Sequence, residues 1–456
     1  MPISSDAIAP LTDTPRPTRW ILVVIIAASV LSSLDLFIVN LAFSGIRDSF
    51  PGATNATISW VLSAYSITFA ALLVPAGRLA DIYGRKRIFK NGLTLFAVAS
   101  AACALAPDVF TLIAGRALKG VAAALMIPTS LALLLGAYPK SEHKRMVAVW
   151  AASGSVAGAI GPTLGGLLVT LDWRLIFLVN LPVALMALWM SKHLTETSRL
   201  DSPLPDVFGS LVFVAAIGTL VAGISYAPEW GWSSATLILA LTCASLFMAI
   251  FVRRCLKVKS PALDLKVFKI ASFRVATLGM ACFYIGFSIM LLGSTLYVTQ
   301  VWHWNPIVAG AAIGPGPGAA FVTALVVSRT NTEPTRLTLF AGVLFLLAGL
   351  WWAIGLGPSP NYILGLLPGL VLVGAAAGMG QTGFIAGGAS SLPATHYASG
   401  TGVINTSRQV GGALGVAIFV SLAGSATTPN HFKTAWMVMA GCGLLTCICA
   451  LYLPRR

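Results

Sequence analysis

Runs of about twenty apolar residues recur along this chain, each long enough to cross the hydrocarbon core of a bilayer as one helix. Such a span has no water to satisfy its backbone N–H and C=O groups, so repeated spans commit the chain to helices packed on one another. They fall near residues 20–43, 57–76, 88–106, 110–136, 144–170, 174–191, 208–227, 234–252, 273–299, 306–327, 337–356, 362–388, 401–424 and 434–453, fourteen in all. Composition agrees with lipid as the main solvent: 57% of the residues are hydrophobic and 9% charged, against about 25% charged in a soluble domain. The expected class is an all-α integral membrane protein with 14 transmembrane helices.

A net charge of +15 invites a nucleic-acid partner, so the placement of the 29 Lys and Arg residues decides the matter. With the N-terminus inside, Arg47, Arg174 and Lys433 fall outside, Arg116, Lys119 and Arg408 fall well within spans, and all the others fall in cytoplasmic segments or at the cytoplasmic ends of spans. That is the positive-inside distribution of a membrane protein. The clusters at Arg85 to Arg87 and Arg253–Arg254 then read as topology and anionic-lipid signals, and no nucleic-acid partner is expected. Both termini are expected in the cytoplasm and the protein in the cell membrane. Residues 1–19 lack the layout of a cleaved signal, so the first span is expected to stay as an anchor. The seven cysteines lie in or beside apolar spans in no disulfide or zinc pattern and read as small hydrophobes.

The spans group as six, two and six. A tail at 1–19 precedes a six-helix bundle over 20–191, a linker at 192–207, a helix pair over 208–252, a basic linker at 253–272 and a second six-helix bundle over 273–453. Within the second linker, Leu263, Leu265, Val267 and Phe268 alternate with Lys266, Lys269 and Arg274, the pattern of an interfacial amphipathic helix.

Of fourteen acidic residues, Asp35 is the one placed well inside a span. A carboxylate there costs about 2.5–3.5 kcal/mol on insertion scales and usually marks a proton or substrate path; a structural ion pair is the plainer alternative. Asp35 lies about 12 Å below the outer end of helix 1, and Arg116 and Lys119 roughly 10 and 15 Å below that of helix 4, so all three share one level. A cation beside the carboxylate and burial around it act on proton affinity in opposite senses. A motion that separates them would switch that affinity. The group is therefore the candidate for proton coupling.

The segment GRLADIYGRKR, Gly77 to Arg87, sets Asp81 among Arg78, Arg85, Lys86 and Arg87, with Gly77 and Gly84 permitting a tight cytoplasmic turn. It reads as an ion-pair latch that gates a conformational change. In helix 5, GSVAGAIGPTLGG carries Gly161, Pro162 and Gly165 among glycines whose spacing allows close helix approach. Pro162 adds a kink there. Close packing alone would also account for this string. A cavity between helices would draw on Phe37, Trp60, Tyr65, Phe69, Met126, Tyr284, Met290, Gln381 and Arg408 for an adaptable substrate pocket. Arg408 has no acid in a neighbouring span.

These strings resemble the fourteen-span drug:proton antiporter family (multidrug efflux type) of the major facilitator superfamily. LDLFIVNLA (34–42) resembles its helix 1 motif, GRLADIYGRKR the loop motif found across the superfamily, and RALKGVAAALMIPTS (116–130) its helix 4 motif. GPTLGG with WRLIFLVNLP (173–182) is similar to the helix 5 antiporter motif and its sequel, and NTSRQVGGALG to a late helix. The resemblance implies the major facilitator fold, two six-helix bundles plus two inserted helices. It implies proton-driven efflux, with Asp35 and Arg116 at coupling positions and Asp81 and Arg85 at gating positions. Phe37, Ser44 and Lys119 depart from the family's usual Thr, Pro and Gln. A second buried cation at Lys119 disfavours lipophilic cations and favours neutral or anionic amphiphiles.

An enzyme is not expected: there is no HExxH motif, the histidines at 143, 193, 303, 396 and 431 all fall in predicted loops, and no Gly-Lys pair supplies a nucleotide-binding loop. Energy then comes from a gradient, with no cofactor or metal. The expected activity is proton-coupled export of hydrophobic or amphiphilic small molecules such as drugs or secondary metabolites. A flippase for lipid-like molecules and a proton-coupled importer are the alternatives. The expected partners are the amphiphilic substrate, protons and the bilayer, and the expected state is a monomer.

Overall fold

A computed structural model describes residues 19–196, 203–330, 332–393, 397–423 and 428–453. Fourteen long helices follow in chain order: α1 Arg19–Leu41, α2 Asn55–Tyr83, α3 Arg85–Ala104, α4 Val109–Ala137, α5 His143–Leu171, α6 Asn180–Met190 and α7 Val207–Trp230. They continue as α8 Ala235–Lys257, α9 Ala271–Leu296, α10 Pro306–Ser328 with a break at Gly314, α11 Pro334–Gly355, α12 Leu367–Ala389, α13 Tyr397–Ala423 and α14 Pro429–Ala450. No strand occurs among the described residues.

The sequence itself sets many of the starts. Thr54, Asp108, Asp206, Ser234 and Asn305 each accept a hydrogen bond from a first-turn backbone N–H of α2, α4, α7, α8 and α10. Pro306, Pro334 and Pro429 occupy a first-turn position of α10, α11 and α14, where their missing N–H costs nothing.

Thirteen helices among the described residues are long and apolar enough to cross a membrane. The fourteenth is α3, whose first six residues include Arg85, Lys86, Arg87 and Lys90. Its apolar length alone is therefore marginal, and packing makes up the difference. Gly92 lets it close on Leu125 and Met126 of α4, and at its other end Cys103 fills the space left by Gly115.

The packing repeats with an offset of eight helices. In the first half α1 packs on α5 and α6, α2 on α4, and α3 on α4 and α6; in the second α9 packs on α13 and α14, α10 on α12, and α11 on α12 and α14. The pair α7–α8 has no counterpart. It lies beside the seam where α2 of the first half meets α13 of the second, with α7 touching both. Thr57 and Tyr226 hydroxyls meet there at 2.9 Å, and Ile67, Ile217, Val221, Ala413 and Ala417 form one buried cluster.

Two linker boundaries differ from the sequence reading. α8 runs on to Lys257, so Arg253 and Arg254 end a helix rather than open a linker, consistent with the favourable place of cations at a helix C-terminus. The stretch expected as an amphipathic α-helix is a single 3₁₀ turn, Leu265–Lys269, capped by Asp264. Its amphipathicity remains, with Val267 buried and Lys266 and Lys269 exposed. Before α7, burial pushes the Asp206 carboxyl up, but Arg254 at 2.7 Å and the Gly209 amide at 2.9 Å outweigh it and hold the group below the usual carboxylate range.

The ends of the bundle differ. The end where α1 starts and α14 finishes carries the basic clusters and is called the basic end. At the opposite end one hydrophobic core is shared by both halves, joining Leu34, Ile38, Val61 and Ile176 to Met290, Ala309 and Ile313. α5 and α10 close it: the Cβ that Gly166 lacks would strike the Pro306 carbonyl, and that of Gly310 the Pro162 carbonyl. At the basic end the first half keeps a core of its own, around Ile25, Phe89, Phe96, Leu134, Ala187 and Met190.

Candidate functional site

Three charged side chains meet inside the first half. Asp35 of α1 accepts from Arg116 Nη1 on one carboxylate oxygen and from Lys119 Nζ on the other. Exposure is 0% at Asp35, 1% at Arg116 and 0% at Lys119, so the group is sealed. Arg116 and Lys119 are three residues apart on α4 and so share one helix face. What lets that face approach is Gly120, where a Cβ would run into Thr68 Oγ1 and the Tyr65 carbonyl of α2. Thr68 Oγ1 in turn donates to the Ala117 carbonyl at 2.9 Å.

The surroundings are built for cations. Arg116 Nε donates to the Val61 carbonyl at 2.7 Å, and its guanidinium lies 4.7 Å from the Tyr65 ring centroid. Lys119 Nζ lies 4.5 Å from the Phe96 ring and 5.1 Å from Phe177. Aromatic faces attract desolvated cations by up to about 2 kcal/mol. The Tyr65 hydroxyl meets Ser32 Oγ at 2.9 Å, fixing the ring from α1. With Asp35 ionised, two cations share one anion, and a formal unit of positive charge is held away from the protein surface.

The segment between α2 and α3 is arranged differently from its sequence reading. Only Gly84 makes the turn, with φ +100, and a Cβ there would also lie 2.7 Å from the Glu196 carboxyl carbon. Gly77 lies inside α2, and its Cβ position is 4.0 Å from Pro128. Asp81 accepts from Arg85 at 2.8 Å, so the ion pair bridges consecutive helices of one half. Glu196 accepts from the Lys86 and Arg87 amides at 3.0 and 3.2 Å and caps α3. Lys86 Nζ donates to the Leu194 carbonyl. Arg78 reaches furthest: it donates to Ser260 Oγ and the Pro261 carbonyl, both at 2.8 Å, tying α2 to the linker after α8. No sequence spacing pointed to Glu196 or to the Ser260–Pro261 contact.

The small-residue face of α5 seats α1. Cβ atoms at Gly158, Gly161 and Gly165 would lie 2.9, 3.0 and 2.7 Å from side-chain atoms of Phe37, Phe37 and Ile38. Pro162, on the adjoining face, meets Gly310 of α10 across the halves.

The candidate pocket residues separate. Tyr284 of α9 donates to Gln381 Oε1 of α12 at 2.7 Å, and the Arg408 guanidinium of α13 lies 5.4 Å from the Tyr284 ring. These three form one cluster in the second half. Tyr65 and Phe69 wall the charged triad from α2, edge to face at 5.8 Å. Met126 is fully buried against Gly92, Trp60 lies 3.8 Å from where a Cβ on Gly218 of the inserted pair would stand, and Met290 belongs to the core shared by both halves. Phe37 is wedged into the glycine face of α5, so it, Trp60 and Met126 are placed as packing residues. Lys119 is sealed behind Phe96 and Phe177 and spends its charge on Asp35. Two histidines thought to sit in loops, His143 and His431, lie in the first turns of α5 and α14, and His396 is outside the described residues.

Two six-helix repeats closed over a buried charge cluster define a multi-pass membrane transporter rather than an enzyme. The chain belongs to the Major Facilitator Superfamily, whose profile matches residues 25–206 and 207–416. It is 32% identical over 409 residues to the multidrug resistance protein Stp of Mycobacterium tuberculosis (strain CDC 1551 / Oshkosh), covering 88% of this chain and 76% of that one. It is 32% identical over 425 residues to the puromycin resistance protein pur8 of Streptomyces alboniger (91% and 83% covered), and 28% identical over 427 residues to the cephamycin export protein CmcT of Amycolatopsis lactamdurans (91% and 87%). Among solved structures, a POT peptide transporter in complex with sulfate superposes with a TM-score of 0.67 at 16% identity, covering 94% of this chain and 93% of that one. That likeness is one of fold.

Proposed function

We propose that this chain is a proton-coupled antiporter of the fourteen-span drug exporter type, moving hydrophobic or amphiphilic small molecules out of the cell by alternating access. The observation that carries the reading is the triad of Asp35, Arg116 and Lys119, sealed inside one half of a chain whose relatives bear drug-resistance and export names. Nothing in a passive scaffold requires three charges at that depth. A ligand or proton moves a two-state equilibrium only by binding the two states differently. Proton entry at the triad alters the balance of one anion against two cations, and with it the packing of α1 against α4.

In this reading the basic end faces the cytoplasm, as positive-inside placement requires, and the protein sits in the cell membrane with both termini inside. The shared core at the opposite end then belongs to a state closed to the outside. No cofactor takes part, and one chain suffices, since both six-helix halves and the charged triad lie within it. Asp81, Arg85 and the Glu196 cap hold the α2–α3 turn, and Arg78 couples that turn to the linker that enters the second half.

Flux in proteoliposomes under an imposed pH gradient tests this, with anionic 4-(1-pyrenyl)butyrate, its neutral methyl ester and cationic ethidium as probes. Wild type is expected to accumulate a probe against its gradient, and Asp35→Asn to lose the pH dependence. Because Asn leaves two cations unpaired, Asp35→Asn/Lys119→Gln is measured beside it. Full gradient-driven transport in both variants would sink the coupling assignment.

A further inference from the structure

Among the described residues, four charged side chains lie deep in the membrane interior: Asp35, Arg116, Lys119 and Arg408. Three are consumed by one another. Arg408 is different: it lies about 17 Å along α13 from the basic end, it is half-buried rather than sealed, and among the described residues no carboxylate pairs with it. A guanidinium has five N–H donors in a planar fork, and it is the side chain best shaped to grip carboxylate, sulfonate or phosphate with two bonds.

Its setting is that of a site. Gly411 and Gly415, the next turns on the same helix, are packed against the Ala281 and Ile285 carbonyls of α9, which fixes the backbone that carries Arg408. Thr406 Oγ1 donates to the Ala70 carbonyl of α2 at 3.2 Å, so Arg408 stands two residues along α13 from a contact between halves. Tyr284 supplies the aromatic face at 5.4 Å, Phe287 extends it at 5.4 Å from Tyr284, and Gln381 holds the Tyr284 hydroxyl. Summed over the interior, three cations face one anion, and a cationic cargo would meet only like charge.

We propose that Arg408, with Tyr284 and Gln381, is a binding site for the acidic group of the cargo, and that the cargo class is an anionic amphiphile with an aromatic or other flat apolar body. This rests on the export reading above and sharpens it.

Three probes with one body separate charge from shape: 4-(1-pyrenyl)butyrate, its methyl ester, and 4-(1-pyrenyl)butyltrimethylammonium. Binding to the purified full-length protein, read by energy transfer from tryptophan in detergent with no gradient, is expected to favour the butyrate over the trimethylammonium probe by tenfold or more, the scale of a charge-assisted contact. Arg408→Gln should erase that preference while leaving the methyl ester within about twofold, and Arg408→Lys should keep part of it. A thermal melt of each variant shows that it is folded. Equal binding of the anionic and cationic probes by wild type, or an Arg408→Gln protein that keeps the preference, overturns the proposal. The same probes in energised proteoliposomes read transport separately. Anion binding without transport would fail the export reading and leave the anion site standing.

Discussion

Removing the Asp35 carboxylate should damage this protein far more than removing either cation, because it is the one charge that the other two share. Two cations bonded to opposite oxygens of one carboxylate lie roughly 5 Å apart, and at an effective dielectric of about 20 they repel by about 3 kcal/mol. Asp35→Asn unmasks that repulsion. Arg116 keeps the Val61 carbonyl at 2.7 Å and the Tyr65 face, while Lys119 keeps only the rings of Phe96 and Phe177. Removing one partner of a buried pair costs about 3–5 kcal/mol, and that is the expected loss. Lys119→Gln instead leaves a one-to-one pair between Asp35 and Arg116, removes the repulsion, and should cost no more than about 1 kcal/mol. In the double variant the remaining cation has a carbonyl partner and no neighbour to repel, so about 3 kcal/mol of the Asp35→Asn loss should return. Thermal unfolding in detergent, followed by tryptophan fluorescence, gives the four corners of the cycle. Equal losses for the two single variants that simply add in the double would show independent residues, and the shared-anion reasoning would be wrong.

The two glycines of the α2–α3 segment should behave oppositely. Gly84→Ala, at φ +100 and against Glu196, should lower stability by about 1–3 kcal/mol, whereas Gly77→Ala, with open space to 4.0 Å, should melt with the wild type. At the far end, Gly310→Val should wedge α10 from the Pro162 carbonyl. Modification of a cysteine placed at Ala157, 3% exposed in the shared core, by an impermeant maleimide added from that side should then speed up; an unchanged rate would show that this contact does not close the end. Asp206 is held below the usual carboxylate range in the folded protein, so its stabilisation is present above about pH 4 and lost as pH falls through its lower folded value. The melting temperature of wild type should exceed that of Asp206→Asn by the equivalent of about 1.5 kcal/mol at pH 7, with the lower end taken because Arg254 is 36% exposed. That gap should close toward pH 3.

The spanning helices were largely legible, thirteen being long and apolar enough among the described residues against fourteen expected, because a bilayer imposes length and penalises charge one residue at a time. The meeting of Asp35, Arg116 and Lys119 was legible for the same reason: depth along a helix follows from rise per residue, and few charges were present to choose among. What depth does not give is azimuth. Phe37, Trp60 and Met126 lie at levels a cavity could use, yet they face α5, the inserted pair and α3, and the apolar surroundings of a membrane helix leave no polar stripe to say so. Nor does a repeat of glycines say which neighbour they admit. On α5 they seat α1, while the contact that closes the halves belongs to Pro162 and Gly166 on an adjoining face.

The same limit shaped the reading of Lys119. From the sequence it was a second cation beside the cavity and therefore a determinant of cargo. Its burial between Phe96, Phe177 and Asp35 instead makes it part of a closed electrostatic unit, and leaves Arg408 as the interior cation without an acid partner among the described residues. On the proposed reading, cargo charge and proton coupling are read by different side chains in different halves. A transporter built this way can exchange one cargo for another by changes around Tyr284 and Gln381 while the triad stays intact. Substitutions in the second-half cluster should accordingly alter which probe is bound and leave the pH dependence of transport in place, and substitutions in the triad should do the reverse.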